Sequence, residues 1–499
     1  MTIERIAASA GSVQRLLKVS VLWALLLAAA PATAALDLRN ATVAELNNGL
    51  VVILLEDRNF PVVSVQMLYR VGARNETAGL TGLAHFLEHM AFRASENFPD
   101  TALVSSIYAA GGEWHGYTWL DQTTYYATVP KEQLDLLLSI EADRMQRLEL
   151  SADDMDAERG AVLAEMHMYE NSPTSMLLDA VMFSAFLAHP YRNNTIGWES
   201  DIEHLPHAAV VEFYNRHYHP ANAVLAVVGD FDSEQVLARI GDLFGAFPKQ
   251  AATPLPHTRE PTQLGERRVE LHGDSDSRQF MIGYRAPSVH SPDYPAFVVL
   301  QQILGASSGV SFLQNDWGTP VAKGAVLAGA AESLTTWYPP SEQEFLFVIG
   351  GSAGARVDES RVEEQIEKRI ASLRRRGPSA RMLTAAVETV LHELTLDIES
   401  TEDAAHQLAF FEGLHALDVL LALPDRIAAV TTADVQHAAQ TYLQPGQRTI
   451  AWLLPRPPAE RADPGQALPP DLDRSVPPVA PVDKIPVPEP LLRTLRRGM

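Results

Sequence analysis

Cysteine is absent from all 499 residues, which excludes disulfide staples, thiolate metal sites and a cysteine nucleophile. Basic side chains are few beside acidic ones, 39 against 62, and leave a formal charge of −23. A chain this acidic repels phosphate backbones, so no nucleic-acid partner is expected and cationic or neutral substrates are favoured. Past residue 34 no run is apolar enough to cross a bilayer. Apolar residues nevertheless make up 46% of the chain, which permits large cores and excludes global disorder.

What is present begins with a leader. Arg5, Arg15 and Lys18 precede an apolar stretch over 19–30, and Ala32-Thr33-Ala34 offers a small-residue cleavage site. This reads as a secretory signal over 1–34, cleaved near Ala34, since the apolar stretch is short for a span. An exported protein, periplasmic or secreted, is expected. At the other end prolines recur through 455–499, where neither a helix interior nor a central strand can persist, so an extended tail is expected.

Between leader and tail the chain repeats itself weakly. A strand-like run over 61–70 and another over 278–285 each end in Tyr-Arg, at an offset of 215 residues, and each leads into a helical pattern. The Pro/Thr-rich stretch 251–265 then falls where a linker belongs. The expected organisation is α+β: two similar domains, 35–250 and 266–454, each a mainly antiparallel sheet packed with helices.

The chemistry concentrates in His85-Phe86-Leu87-Glu88-His89. Leu80, Leu83, Ala84, Leu87, Met90 and Ala91 form an apolar stripe at helical spacing. At about 100° per residue, His85, Glu88 and His89 gather on the opposite side. Two imidazoles one turn apart can grip a metal ion, with a carboxylate beside them to take a proton from water. H-x-x-E-H is the inverted zinc-peptidase signature. A catalytic zinc needs a third protein ligand and an open fourth position. A second helical pattern over 153–168 carries Glu158 and Glu165, seven residues apart on one face, among many carboxylates that could complete the site. His167 points nearly opposite to Glu165.

The chain resembles the pitrilysin, insulysin and mitochondrial processing peptidase family of zinc peptidases. Gly82-Leu83-Ala84-His85-Phe86-Leu87-Glu88-His89-Met90 matches its metal motif, and Glu165 lies 76 residues beyond His89, where the family places its third ligand. Glu141-Ala142-Asp143-Arg144-Met145, His189-Pro190-Tyr191 and Tyr218-His219-Pro220 match further pieces. The resemblance implies zinc held by His85, His89 and Glu165, Glu158 supporting the site, and Glu88 as general base in peptide-bond hydrolysis. A shift of 215 sets Leu300, Ile303 and Leu304 opposite His85, Glu88 and His89, so one zinc per chain is expected.

The family adds peptides as a strand to a sheet edge, matched here by residues 111–118. Where the family usually has Asn-Ala this chain has His115-Gly116. Gly116 permits close backbone approach, and His115 is expected to tune specificity or add a basic group near the zinc. Family members close as a clamshell of two such chains or halves. The region 311–325 lacks the Arg and Tyr that the second half commonly supplies, so a homologous partner chain, or a homodimer, is expected. The competing reading is a non-catalytic structural or peptide-binding subunit. Gly305-Ala306-Ser307-Ser308-Gly309 fits the serine-hydrolase elbow but follows a helical run, and Gly350-Gly351-Ser352-Ala353-Gly354 reads as a turn.

Overall fold

The computed structural model describes residues 36–456 other than 252, 255–256, 274, 307–309, 313–317 and 355. Within them two six-stranded sheets follow one plan. The first is built from β1 (Thr42–Glu45), β2 (Val51–Glu56) and β3 (Val62–Tyr69), with later strands added around β3. A short β4 (Ala94–Ser95) pairs outside this sheet with β7 (Leu148–Glu149), and β5 (Glu113–Thr118), β6 (Thr123–Pro130) and β8 (Ala223–Gly229) complete it. Its spatial order is β1-β2-β8-β3-β6-β5. The second sheet comprises β9 (Arg267–Gly273), β10 (Arg278–Ala286), β11 (Thr319–Pro320), β12 (Ser333–Trp337), β13 (Phe345–Ala353) and β14 (Arg448–Pro455). Its order is β11-β12-β13-β10-β14-β9.

Each sheet is antiparallel except for one pair, β2 with β8 and β9 with β14. Tyr69 closes β3 opposite Ala223 and Thr123, and Tyr284 stands in β10 opposite Arg448 and Phe347. The two tyrosines hold matching places, both fully buried. Helices cover both faces of the strands in the middle of each sheet. This is why β8 is an unbroken apolar run, buried at every residue, instead of an alternating one.

Those covering helices are exchanged between the two sheets. The helix Pro173–Ala185, from the first part of the chain, packs on β9, β10 and β14. The helix Thr401–Gly413, from the second part, packs on β3 and β8. A glycine stands at each crossing. A Cβ on Gly283 of β10 would meet the Val181 side chain at 2.6 Å, and one on Gly413 would meet Gln122 Oε1 at 2.3 Å and the Leu68 side chain of β3 at 2.7 Å, so glycine lets helix and strand pack closely there. Arg70 also pairs with Glu412 across the same contact at 2.8 Å. The expected division at 251–265 falls between the two sets of strands, yet the helices cross it.

The stretch 251–265 forms no helix or strand among its described residues. It is nonetheless fastened: Glu260 accepts the N–H groups of Leu187, Ala188 and His189 at 2.8, 2.8 and 2.9 Å, and buried Gln263 donates to the Arg448 carbonyl at 2.9 Å. The turn expected at Gly350-Gly351 is instead the middle of β13. Glycine serves there because a Cβ on Gly351 would strike the Ser333 carbonyl of the neighbouring strand at 2.3 Å. The leader 1–34, residues 457–499 of the tail and the centre of the elbow-like motif, 307–309, lie outside the described residues. Among the described residues no single helix is long and apolar enough to cross a membrane.

Candidate metal centre

The H-x-x-E-H segment forms the helix Leu83–Met90, which starts at Gly82 in the left-handed conformation, φ +80°. A Cβ on Gly82 would lie 2.3 Å from the Ile196 carbonyl, so the start needs glycine on both counts. No N-cap side chain is available. Glu76 takes that part, accepting the N–H groups of Gly82 and Ala84 at 2.8 Å each. Burial raises the Glu76 carboxyl to about 8 against the pull of those two donors. At the other end Arg144 Nε donates to the Ala91 carbonyl at 3.2 Å. The helix is buried beyond its apolar stripe, with His89 alone partly exposed. His85 is 5% exposed and Glu88 7%, because β5 and the helix Ala152–Glu170 cover the polar side.

The helix Ala152–Glu170 begins at Ser151, whose hydroxyl accepts the Asp154 N–H at 3.1 Å. Its two carboxylates divide their tasks. Glu165 Oε2 lies 3.3 Å from His89 Nε2 and 3.6 Å from His85 Nε2. Glu158 Oε2 accepts from His89 Nδ1 at 3.0 Å, and its other oxygen meets Arg93. His167 is exposed and faces Glu199 at 3.2 Å, away from this cluster.

One ligand atom each from His85, His89 and Glu165 lie within 4.8 Å of one another. Two imidazole nitrogens and a carboxylate oxygen at that spacing match the donor set of a tetrahedral zinc with one position left open. The Glu158 contact commits His89 Nδ1 as donor and leaves Nε2 facing His85 and Glu165, the nitrogen a metal ion would take in place of a proton. Burial lowers His85 to about 4, keeping it neutral and able to ligate at neutral pH. Burial also opposes charge on His89, but Glu158 and Glu165 outweigh it and carry that imidazole to about 10. Burial pushes Glu165 upward, and the neighbouring histidines more than reverse the effect.

Glu88 stands beside this cluster on the side of β5. Its Oε2 accepts from the Thr118 hydroxyl at 2.8 Å, and burial raises its carboxyl to about 7. A Cβ on Gly116 would lie 2.6 Å from the Phe92 ring and 3.3 Å from Glu88 Oε1. Gly116 therefore lets the edge strand lie close to both. His115 takes the other face of β5, its ring 5.3 Å from that of Tyr126. The expected basic group near the metal is thus corrected by strand alternation, since Gly116 and Thr118 are the residues that face Glu88. A small cavity of about 50 Å³ opens beside His85 and Glu165, lined also by Trp119, Tyr169, Asp179 and Asn194.

Thr118, Glu76, Arg93 and Tyr169 were not singled out from the sequence. Arg93 and Tyr169 stand one turn beyond His89 and Glu165, a spacing that a search for supporting residues could have used.

The family model "Insulinase (Peptidase family M16)" matches residues 51–198, and "Peptidase M16 inactive domain" matches 204–390. The zinc protease PqqE of Helicobacter pylori is 28% identical over 82% of this chain and 92% of its own length. The crystal structure of a protease from Helicobacter pylori superposes with a TM-score of 0.76 at 25% identity, covering 83% of this chain and 99% of that one. The periplasmic protease PqqL from Escherichia coli shares the fold, with a TM-score of 0.67 at 18% identity; the match spans 86% of this chain but 50% of PqqL.

Proposed function

Because the chain belongs to the M16 (insulinase) peptidase family, we propose that it is an exported zinc peptidase cleaving peptides or unfolded segments. The observation that carries this reading is the convergence of His85, His89 and Glu165 within 4.8 Å, with buried Glu88 between them and an open sheet edge. His85, His89 and Glu165 would hold one zinc ion, and Glu158 would orient His89. When bound, zinc would acidify water and polarise the scissile carbonyl. Glu88 acts as the base: Thr118 occupies its Oε2, so Oε1, on the Gly116 side, takes the water proton and returns it to the leaving amine. A carboxyl near 7 suits both halves of that exchange.

β5 ends the sheet order, so among the described residues one edge of it has no strand partner. The Trp119–Gln122 hydrogen bond at 2.8 Å sets the ladder phase. Alternation from there directs the backbone groups of Trp114, Gly116 and Thr118 to the open edge. A substrate strand added there would run past Glu88. Export to the periplasm is supported by the leader 1–34 and by the fold shared with a periplasmic protease. Assembly with a homologous chain or a second copy is supported by the match to half of PqqL.

The test is hydrolysis of quenched unstructured peptides by the purified mature chain, with chelated and Glu88→Gln controls. Cleavage lost in both controls supports the reading. Cleavage that survives both would overturn it. A folded, zinc-loaded chain inert alone and active with a homologous partner would leave the chemistry standing and assign the heterodimer.

A further inference from the structure

Glu158 is buried beside His89, with 9% of its side chain exposed. An ionised carboxylate offers about four acceptor positions, and a buried oxygen left without a donor is costly. His89 satisfies Oε2 only. The second oxygen is met by Arg93, whose Nε and Nη2 both converge on Oε1. Arg93 follows His89 by four residues, just past the end of the helix Leu83–Met90, where its N–H bonds the Met90 carbonyl at 3.0 Å. Its positive charge there also suits the helix dipole.

We infer that Arg93 is a positioning residue for the metal centre. It acts through Glu158: the guanidinium pins one oxygen, so the other is held against His89 Nδ1 and the imidazole cannot turn its Nε2 away from His85 and Glu165. Among the described residues Glu158 has no other side-chain partner to do this. A planar guanidinium can place two N–H groups on one oxygen, and an ammonium holds that geometry less firmly. Arg93 itself is one-third exposed.

The inference rests on the zinc reading above. Its test is a double-mutant cycle in the full mature chain, read by zinc affinity against a competing chelator and by the His89 tautomer in ¹⁵N-histidine NMR. Arg93→Met is expected to weaken zinc about tenfold and to broaden or shift the His89 ring signals. Arg93→Lys should recover part of the affinity. Arg93→Met combined with Glu158→Gln should bind zinc no more weakly than Glu158→Gln alone, because the effect passes through that carboxylate. Wild-type affinity and an unchanged tautomer in Arg93→Met would overturn the inference, as would fully additive effects. A folded wild type that binds no zinc would overturn the metal reading itself.

Discussion

The helix Leu83–Met90 follows the central strand β3, and the helix Tyr294–Leu304 follows the equivalent strand β10, yet their contents are opposite. Where the first carries His85, Glu88 and His89, the second carries Leu300, Ile303 and Leu304, at most 4% exposed. The neighbours differ in the same way. Ala152–Glu170 packs on the first helix and presents Glu158 and Glu165, whereas Ala380–Leu396 packs on the second with Ala386 and Val390 buried. Buried imidazoles and carboxylates are tolerated only where partners meet them. In the first half those partners arrive from three places: Thr118 on β5, Glu158 on the helix Ala152–Glu170, and Arg93 just past the helix Leu83–Met90. The candidate metal site is therefore a property of a neighbourhood, and the second half keeps the frame without it.

The largest expected effect removes chemistry and leaves the frame. Glu88→Gln should lower kcat by about 10³ to 10⁴ while zinc binding persists; peptide turnover and metal content measured on one sample check both. Grafting the motif onto the second half is the complementary change. The triple variant Leu300→His, Ile303→Glu, Leu304→His should gain no zinc and lose about 4 kcal/mol or more of stability, since no carboxylate helix awaits it. Urea unfolding with metal analysis decides this, and a second bound ion would break the comparison.

A smaller effect concerns pH. Glu88 keeps its proton to about 7 in the folded chain against an ordinary value of 4.5. Between those values Glu88 holds more proton in the native state than in the unfolded one, so its own contribution to the stability of the chelated chain should fall as pH rises, by roughly 1 to 3 kcal/mol. The same melts on Glu88→Gln should show that part of the slope removed. The smallest change is Gly116→Ala. Its methyl would press on the Phe92 ring, and peptide cleavage should fall about tenfold, or ~1.4 kcal/mol, with zinc affinity unchanged.

Much of the centre was legible because its signal is local or fixed by spacing. His85, Glu88 and His89 share one helical turn, and Glu165 with Glu158 repeat at two turns. The repeat was legible through Tyr69 and Tyr284, which hold the same place in each sheet. Helix exchange was not, because Gly283 against Val181 and Gly413 against Leu68 are contacts of distant residues that no local pattern announces. His115 was read towards the metal because the parity of β5 depends on where its hairpin turns, at Trp119–Gln122. Gly350-Gly351 was read as a turn for a related reason. Their role is to accept a neighbouring strand at close range, which looks like loop composition in one dimension.

The central claim is one metal site per chain, set by the first helix pair alone. Zinc titration of the chelator-stripped mature chain by calorimetry tests it most directly, with His85→Ala alongside. The account predicts one ion per wild-type chain and none at that affinity in His85→Ala. Two ions per wild-type chain, or tight binding that survives His85→Ala, would contradict it.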